Sequence, residues 1–397
     1  MFVRSRTSPR AQTAALFSGP FARVTIANFF FFLNFASFFL LPLYVKALGG
    51  TEATVGVVMG TGGMATLLTL PVVAVMIDRL GRRRFLMLGT VGMTAASICY
   101  LWVDAIGPAL FAVRVLQGAS FAAAFTATTA FAATFAPQDR RAQALGVFGL
   151  SVLLTHAIAP AAGEEIIRRL GFHALFAVTI GWTLVALFVA IRLPPGIVVR
   201  LAGAHPAPWH FDRLQWVVAA TMVLSGMGFG TVMTFTPTFI NGEGLGRVGV
   251  FFAAYTTTAI LTRFVGAGLS DSFGRRAIII PTLLVLAGSI LAMAFVHGIP
   301  MLVCAGALFG SAQGISYPTL HAFLVDMTAE AHMGRAQALF NGSFNFGVTS
   351  SAFIFGTAAE YLGYRPMFAL ASLTPLIACV LFYLCGTPAR ALRRRAL

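Results

Sequence analysis

Charge is what this sequence has least of. Acidic and basic residues together fill only 10% of 397 positions, and lysine occurs once, at Lys46, beside 26 arginines. A water-soluble body of this size carries about a quarter of its residues as charges, so an ordinary soluble domain is excluded. Cysteine is also scarce. Cys99, Cys304, Cys379 and Cys385 all fall in apolar stretches without ligand spacing, read as small buried hydrophobes, and leave no metal site. No G-x-x-x-x-G-K-[ST] loop and no nucleophile–base constellation occurs, so neither an ATP-driven pump nor an enzyme is expected, and no cofactor is implied.

What is present is apolar surface: 58% of residues, with a mean hydropathy of +0.87. It comes in runs long enough for a bilayer, whose hydrocarbon core of about 30 Å needs about 20 helical residues. Twelve spans are predicted, near 22–44, 54–77, 85–104, 107–136, 143–165, 171–192, 213–239, 247–270, 277–296, 299–325, 335–360 and 366–386. They lack period-2 alternation and are too long for barrel strands, so the fold class is all-α integral membrane. The first span is too long and too late for a cleaved signal peptide.

With the N-terminus inside, 20 of the 27 basic residues fall in cytoplasmic segments and five outside, while Arg114 and Arg263 lie within spans. That asymmetry is the positive-inside rule. It accounts for the net charge of +15 without nucleic acid, because the arginines are scattered over short loops rather than gathered on one face. Both termini are expected in the cytoplasm, and short tails without a transit-like segment suggest a bacterial inner membrane.

The two halves repeat each other. Asp78-Arg-Leu-Gly81-Arg82-Arg83 matches Asp271-Ser-Phe-Gly274-Arg275-Arg276 at an offset of 193. Arg141-Ala-Gln-Ala-Leu145 returns as Arg335-Ala-Gln-Ala-Leu339, and Gly171-Phe-His-Ala-Leu-Phe176 matches Gly363-Tyr-Arg-Pro-Met-Phe368. Each anchor falls at the same place in its six-span half. The expected domains are residues 1–192, a proline-rich cytoplasmic linker at 193–212, and residues 213–397. Two such bundles can rock about a midplane site, opening it to each side in turn.

These motifs resemble the major facilitator superfamily, over residues 20–388. Its signature G-x-x-x-D-R-x-G-R-R stands here as Ala74-x-x-x-Asp78-Arg79-x-Gly81-Arg82-Arg83, with alanine (Ala74, and Ala267 in the repeat) for the leading glycine. The fourth-span pattern R-x-x-Q-G is intact as Arg114-Val-Leu-Gln117-Gly118. The resemblance implies two pseudo-symmetric six-helix bundles and a monomeric carrier of a small molecule. It also implies a conformational latch across the halves, built from Asp78, Arg79, Gly81, Arg82, Arg83 and their repeats Asp271, Gly274, Arg275 and Arg276. Gly81 and Gly274 suit a tight reversal needing positive φ. The exporters' fifth-span glycine pattern is only half present: Gly146, Pro160 and Gly163 match, whereas Thr155, Ala159 and Glu164 replace glycines.

Intramembrane polar groups are costly unless partnered, so they are candidate functional residues. Arg114 is a candidate anion ligand or the partner of Glu164 or Glu165; Arg263, which stands where the first half has Leu70, is a candidate cavity-lining cation. Asn28, Asn34, Gln117, Tyr317, Asn341 and Asn345 complete a possible polar pocket. His156, His321, Glu164 and Glu165 are the candidate proton carriers, histidine because it titrates near neutral pH. Each also has a plain structural reading, as a static ion pair or a helix-bridging hydrogen bond. The expected function is secondary active transport: proton-coupled export of an amphipathic drug-like molecule or metabolite. Proton-coupled import of a small organic anion is the alternative, and a non-transporting sensor or scaffold is the reading from another class.

Overall fold

The computed structural model describes residues 19–137, 140–194, 211–329 and 332–386. The first long helix, α1 (Pro20–Ala47), is interrupted by a tighter 3-10 turn at Phe38–Leu40. Then follow α2 (Glu52–Leu80), α3 (Arg82–Cys99), α4 (Pro108–Phe135), α5 (Arg141–Leu170), α6 (Phe172–Ile191), α7 (Arg213–Gly242), α8 (Val248–Phe273), α9 (Arg275–Met293), α10 (Ile299–Met327), α11 (Met333–Leu362) and α12 (Tyr364–Cys385). Ten of these are long and apolar enough to cross a membrane. In α8 the described residues include an apolar stretch at Val248–Phe264, and α11 carries many polar side chains, including Asn341 and Asn345. The expected all-helical membrane architecture is therefore present, with ten to twelve spans. Residues 195–210, the bulk of the expected linker, lie outside the described residues, as do most tail arginines.

The repeat in sequence is a repeat in packing. In the first half α1 lies against α4, α5 and α6, α2 against α4, and α3 against α4 and α6; in the second, α7 lies against α11 and α12, α8 against α10, and α9 against α10 and α12. Turns are duplicated as well. Gly81 ends α2 and opens α3 at φ +92°, and Gly274 does the same between α8 and α9 at φ +87°. At these angles a Cβ would be strained, which is why the expected positive φ required glycine.

Across the halves, α2 packs on α11 and α5 on α8, two contacts related by the repeat. They decide where the core sits. One apolar cluster contains residues of both halves, such as Phe39, Val55 and Val58 with Phe235, Phe252 and Phe355, at the end away from the Arg82 and Arg275 turns. Towards those arginines, here called the basic end, the core divides. One cluster there belongs to the first half (Phe85, Phe131, Phe148) and another to the second (Phe323, Phe340, Phe382). The molecule is sealed at one end and split at the other.

Candidate functional site

The seal is built by close backbone approach. A methyl group placed on Gly56 of α2 would come within 2.2 Å of the Ala352 carbonyl oxygen in α11, and one on Gly249 of α8 within 2.7 Å of Ala161 Cα in α5. Gly56 and Gly249 are 193 positions apart, the offset of the repeat. Small residues let helices meet this closely in a bilayer.

Two carboxylates cross the seam. Glu164 of α5 accepts from the backbone N–H groups of Val248 (2.9 Å) and Gly249 (2.8 Å), capping α8. Glu360 of α11 accepts from Ala53 N–H (3.0 Å) and the Thr51 hydroxyl (2.7 Å), capping α2. A helix N-terminus leaves N–H groups unpaired and favours negative charge, so each half caps a helix of the other. At this end a cavity of about 380 Å³ lies between the halves, with Lys46, Glu52, Glu243 and Tyr364 in its wall. Lys46 pairs with Glu52 at 2.8 Å, and Tyr364 donates to the same carboxylate.

Arg114 is buried in α4 and donates to the Val58 (3.1 Å) and Met59 (3.2 Å) carbonyls of α2 and to Gln117, which also receives the Tyr100 hydroxyl. Its guanidinium lies over Gly62, where a methyl would sit 2.5 Å from Nη2, and a methyl on Gly118 would meet the Gly62 carbonyl oxygen at 2.1 Å. The R-x-x-Q-G pattern thus locks α4 onto α2. This corrects the expected pairing of Arg114 with Glu164 or Glu165. Glu164 caps α8 instead, and Glu165 pairs with Arg168, Arg169 and Arg247.

The other candidates divide between the halves. Asn34 is fully buried, its amide donating to Ser97 (2.8 Å) and the Thr179 carbonyl (3.0 Å), a brace among α1, α3 and α6. Asn28 is fully buried and neither amide atom finds a partner. His156 is buried at the seam, edge-on to Phe39 (5.1 Å between centroids) and stacked on Tyr255 of α8 (6.3 Å), with Nδ1 unpartnered. In the second half Tyr317, His321 and Asn345 are half-buried and Asn341 is exposed. Tyr317 donates to Asn341 at 3.1 Å and packs among Phe340 and Phe344, and His321 meets Phe340. Arg263 of α8 is half-buried, with a guanidinium nitrogen 3.6 Å from where a methyl on Gly149 of α5 would lie.

The duplicated loop residues do matching work inside each half. Arg82 reaches the Ala130 carbonyl and Thr134 in α4, and Arg275 reaches Asp326 in α10 at 3.2 Å. Arg83 donates to the Ile191 carbonyl at the end of α6, and Arg276 to the Tyr383 carbonyl near the end of α12. Asp271 pairs with Arg275. Arg79 is exposed, and the Asp78 side chain lies outside the described residues. A contact of Arg82, Arg83, Asp271, Arg275 or Arg276 across the halves is not formed among the described residues; each braces its own bundle.

Sequence reading missed Glu360, Thr51 and the Gly56–Gly356 approach. The repeat offset could have found the last, since it carries Gly56 onto another glycine, Gly249. Among the described residues, no group of three His, Cys, Asp or Glu side chains could hold a metal.

Comparison with known proteins agrees with this architecture. The family model for the Major Facilitator Superfamily matches residues 24–251 and 218–396. The staphylopine export protein of Staphylococcus aureus is 22% identical over 389 residues, covering 92% of this chain and 96% of that protein. A probable nitrate/nitrite transporter, NarK2 of Mycobacterium tuberculosis, is 26% identical over 67% of this chain and 70% of its own. The crystal structure of the nucleoside transporter NupG superposes with a TM-score of 0.76 at 13% identity, covering 94% of this chain and 100% of that one. The chain is a membrane transporter that belongs to the Major Facilitator Superfamily.

Proposed function

We propose that this transporter exports a small amphipathic molecule from a bacterial cytoplasm in exchange for protons, working as a monomer by alternating access. The divided core carries the reading: one cluster joins the halves at one end, and two separate clusters lie at the other. By the positive-inside rule the basic end is cytoplasmic, so this arrangement is the inward-open state. Rocking the bundles opens the glycine contacts and brings the α2–α3 and α8–α9 turns, with Asp78 and Asp271, against the opposite half as a latch. His156 is the proton carrier we favour, because it sits at the seam that must part, with a free ring nitrogen. A proton gradient can drive such a cycle, each charge crossing 100 mV yielding about 2.3 kcal/mol. The extent of the match to a staphylopine exporter supports export. Proton-coupled import of an organic anion is the second reading, favoured by the free guanidinium of Arg263.

The test is lumenal pH in proteoliposomes of the purified protein, with lipophilic cations, organic anions and sugars added outside one at a time. A rise on adding a compound supports antiport, and a fall supports symport. Silence across the panel counts against proton coupling. His156→Gln should flatten the pH response while leaving binding intact; an unchanged response removes that histidine from the mechanism.

A further inference from the structure

The signs of the charges inside the bundle are unequal. The acidic residues among the described ones fall towards helix ends or in loops: Glu52, Asp104, Glu164, Glu165, Glu243 and Glu360 towards the sealed end, and Asp78, Asp212, Asp271 and Asp326 towards the basic end. No carboxylate stands near the middle of any helix. Two arginines do lie inside, and their surroundings differ. Arg114 is saturated by two carbonyls and Gln117.

Arg263 has no hydrogen bond or ion pair among the described residues. It stands fifteen positions into α8, about 23 Å from the sealed end at 1.5 Å per residue. The ionisable groups within its electrostatic reach are the neutral phenols of Tyr255 and Tyr317. Its guanidinium reaches across the seam to Gly149. Tyr317 is itself held by Asn341 and flanked by Phe340 and Phe344, and Tyr255 by His156 and Phe309. An uncompensated cation at membrane depth is costly and calls for a counter-charge. None is supplied among the described residues, and the split at the basic end leaves this region half-exposed.

We propose that Arg263 is the anion-recognition residue of the transport site, and that the substrate is an amphipathic organic anion with an aromatic or apolar body. A carboxylate is the best geometric match, because guanidinium offers two parallel N–H donors to its two oxygens. The Tyr317 and Tyr255 rings and the neighbouring phenylalanines take the apolar body. A lipophilic cation finds no counter-ion at this depth. The assignment rests on the transporter reading but holds for either direction of transport, and it places Arg263 where both halves hold the ligand.

The test uses three probes with one aromatic body and different charge: 2-naphthoate, 2-naphthamide and 2-naphthylmethylammonium. Binding to the full-length protein in nanodiscs is measured by equilibrium dialysis. The carboxylate should bind at least about tenfold more tightly than the amide, and the cation least. Arg263→Gln should erase the carboxylate preference without weakening the amide, and Arg263→Lys should keep part of it. Because Arg263 forms no hydrogen bond or ion pair among the described residues, both variants should elute as the wild type does. Tighter binding of the cation, a carboxylate preference that survives Arg263→Gln, or no binding by any of the three overturns the assignment. Naphthoate binding without any lumenal pH response would instead sink proton coupling and leave the site standing.

Discussion

Gly56 of α2 and Gly356 of α11 face each other across the two halves so closely that a methyl on either would lie 3.0 or 2.9 Å from the other's α-carbon. Nothing larger than hydrogen fits between them while that end is shut. Gly356→Leu should therefore hold the end open, leaving a folded protein whose transport falls at least about tenfold. Labelling of cysteines placed beside the seal reads this directly, and wild-type labelling and transport would contradict it.

Glu164 and Glu360 stabilise the same closure from opposite halves. Capping of a helix N-terminus by a carboxylate is worth about 0.5–2 kcal/mol. Glu164→Gln should shift the resting population towards opening at this end, and Glu164→Gln with Glu360→Gln should shift it further. Accessibility unchanged in the double variant would mean that the caps only trim helix ends.

Arg114 and Arg263 should respond oppositely to removal. Arg114→Ala removes the charged hydrogen bonds that tie α4 to two α2 carbonyls and to Gln117, a loss of about 1.5–3 kcal/mol, seen as a lowered Tm. Arg263→Ala removes no hydrogen bond found among the described residues and should leave Tm near wild type or above it. Equal falls in Tm would refute the distinction between a structural and a ligand-seeking arginine.

How much of this was legible beforehand follows from the kind of signal involved. Helix positions were readable because a bilayer imposes a length, and the correspondence of the two halves because three motifs recur at a nearly constant offset. The Gly81 and Gly274 reversals were readable because only glycine suits their φ. Partners across the seam were not. Glu164 meets Val248 and Gly249, 84 and 85 positions away, and Glu360 meets Ala53, 307 positions away. Such pairings depend on the rotation of each helix and on which end is closed, and a hydropathy profile contains neither. Arg114 reads in sequence as an anion ligand or the partner of a carboxylate, whereas α2 carbonyls with spare lone pairs and Gln117 take its donors.

Asp78 stands at the basic end, where the halves are apart in this state. If it locks that end when closed, Asp78→Asn should abolish transport yet leave expression, monodispersity and ligand binding intact. Full transport by the variant would remove the latch from the cycle.

Movement of the two ends in opposition is the centre of the account, and distances can follow both. In a background without Cys99, Cys304, Cys379 and Cys385, spin labels would be placed at exposed, repeat-related sites: Leu80→Cys with Phe273→Cys at the basic end, and Leu170→Cys with Leu362→Cys at the sealed end. Electron–electron double resonance in nanodiscs, taken across the range around a histidine's ordinary pKa of about 6.5, then reports each pair. The expected result is two populations, with the basic-end distance shortening as the other lengthens. Distances that stay fixed at both ends, or that lengthen together, would contradict alternating access.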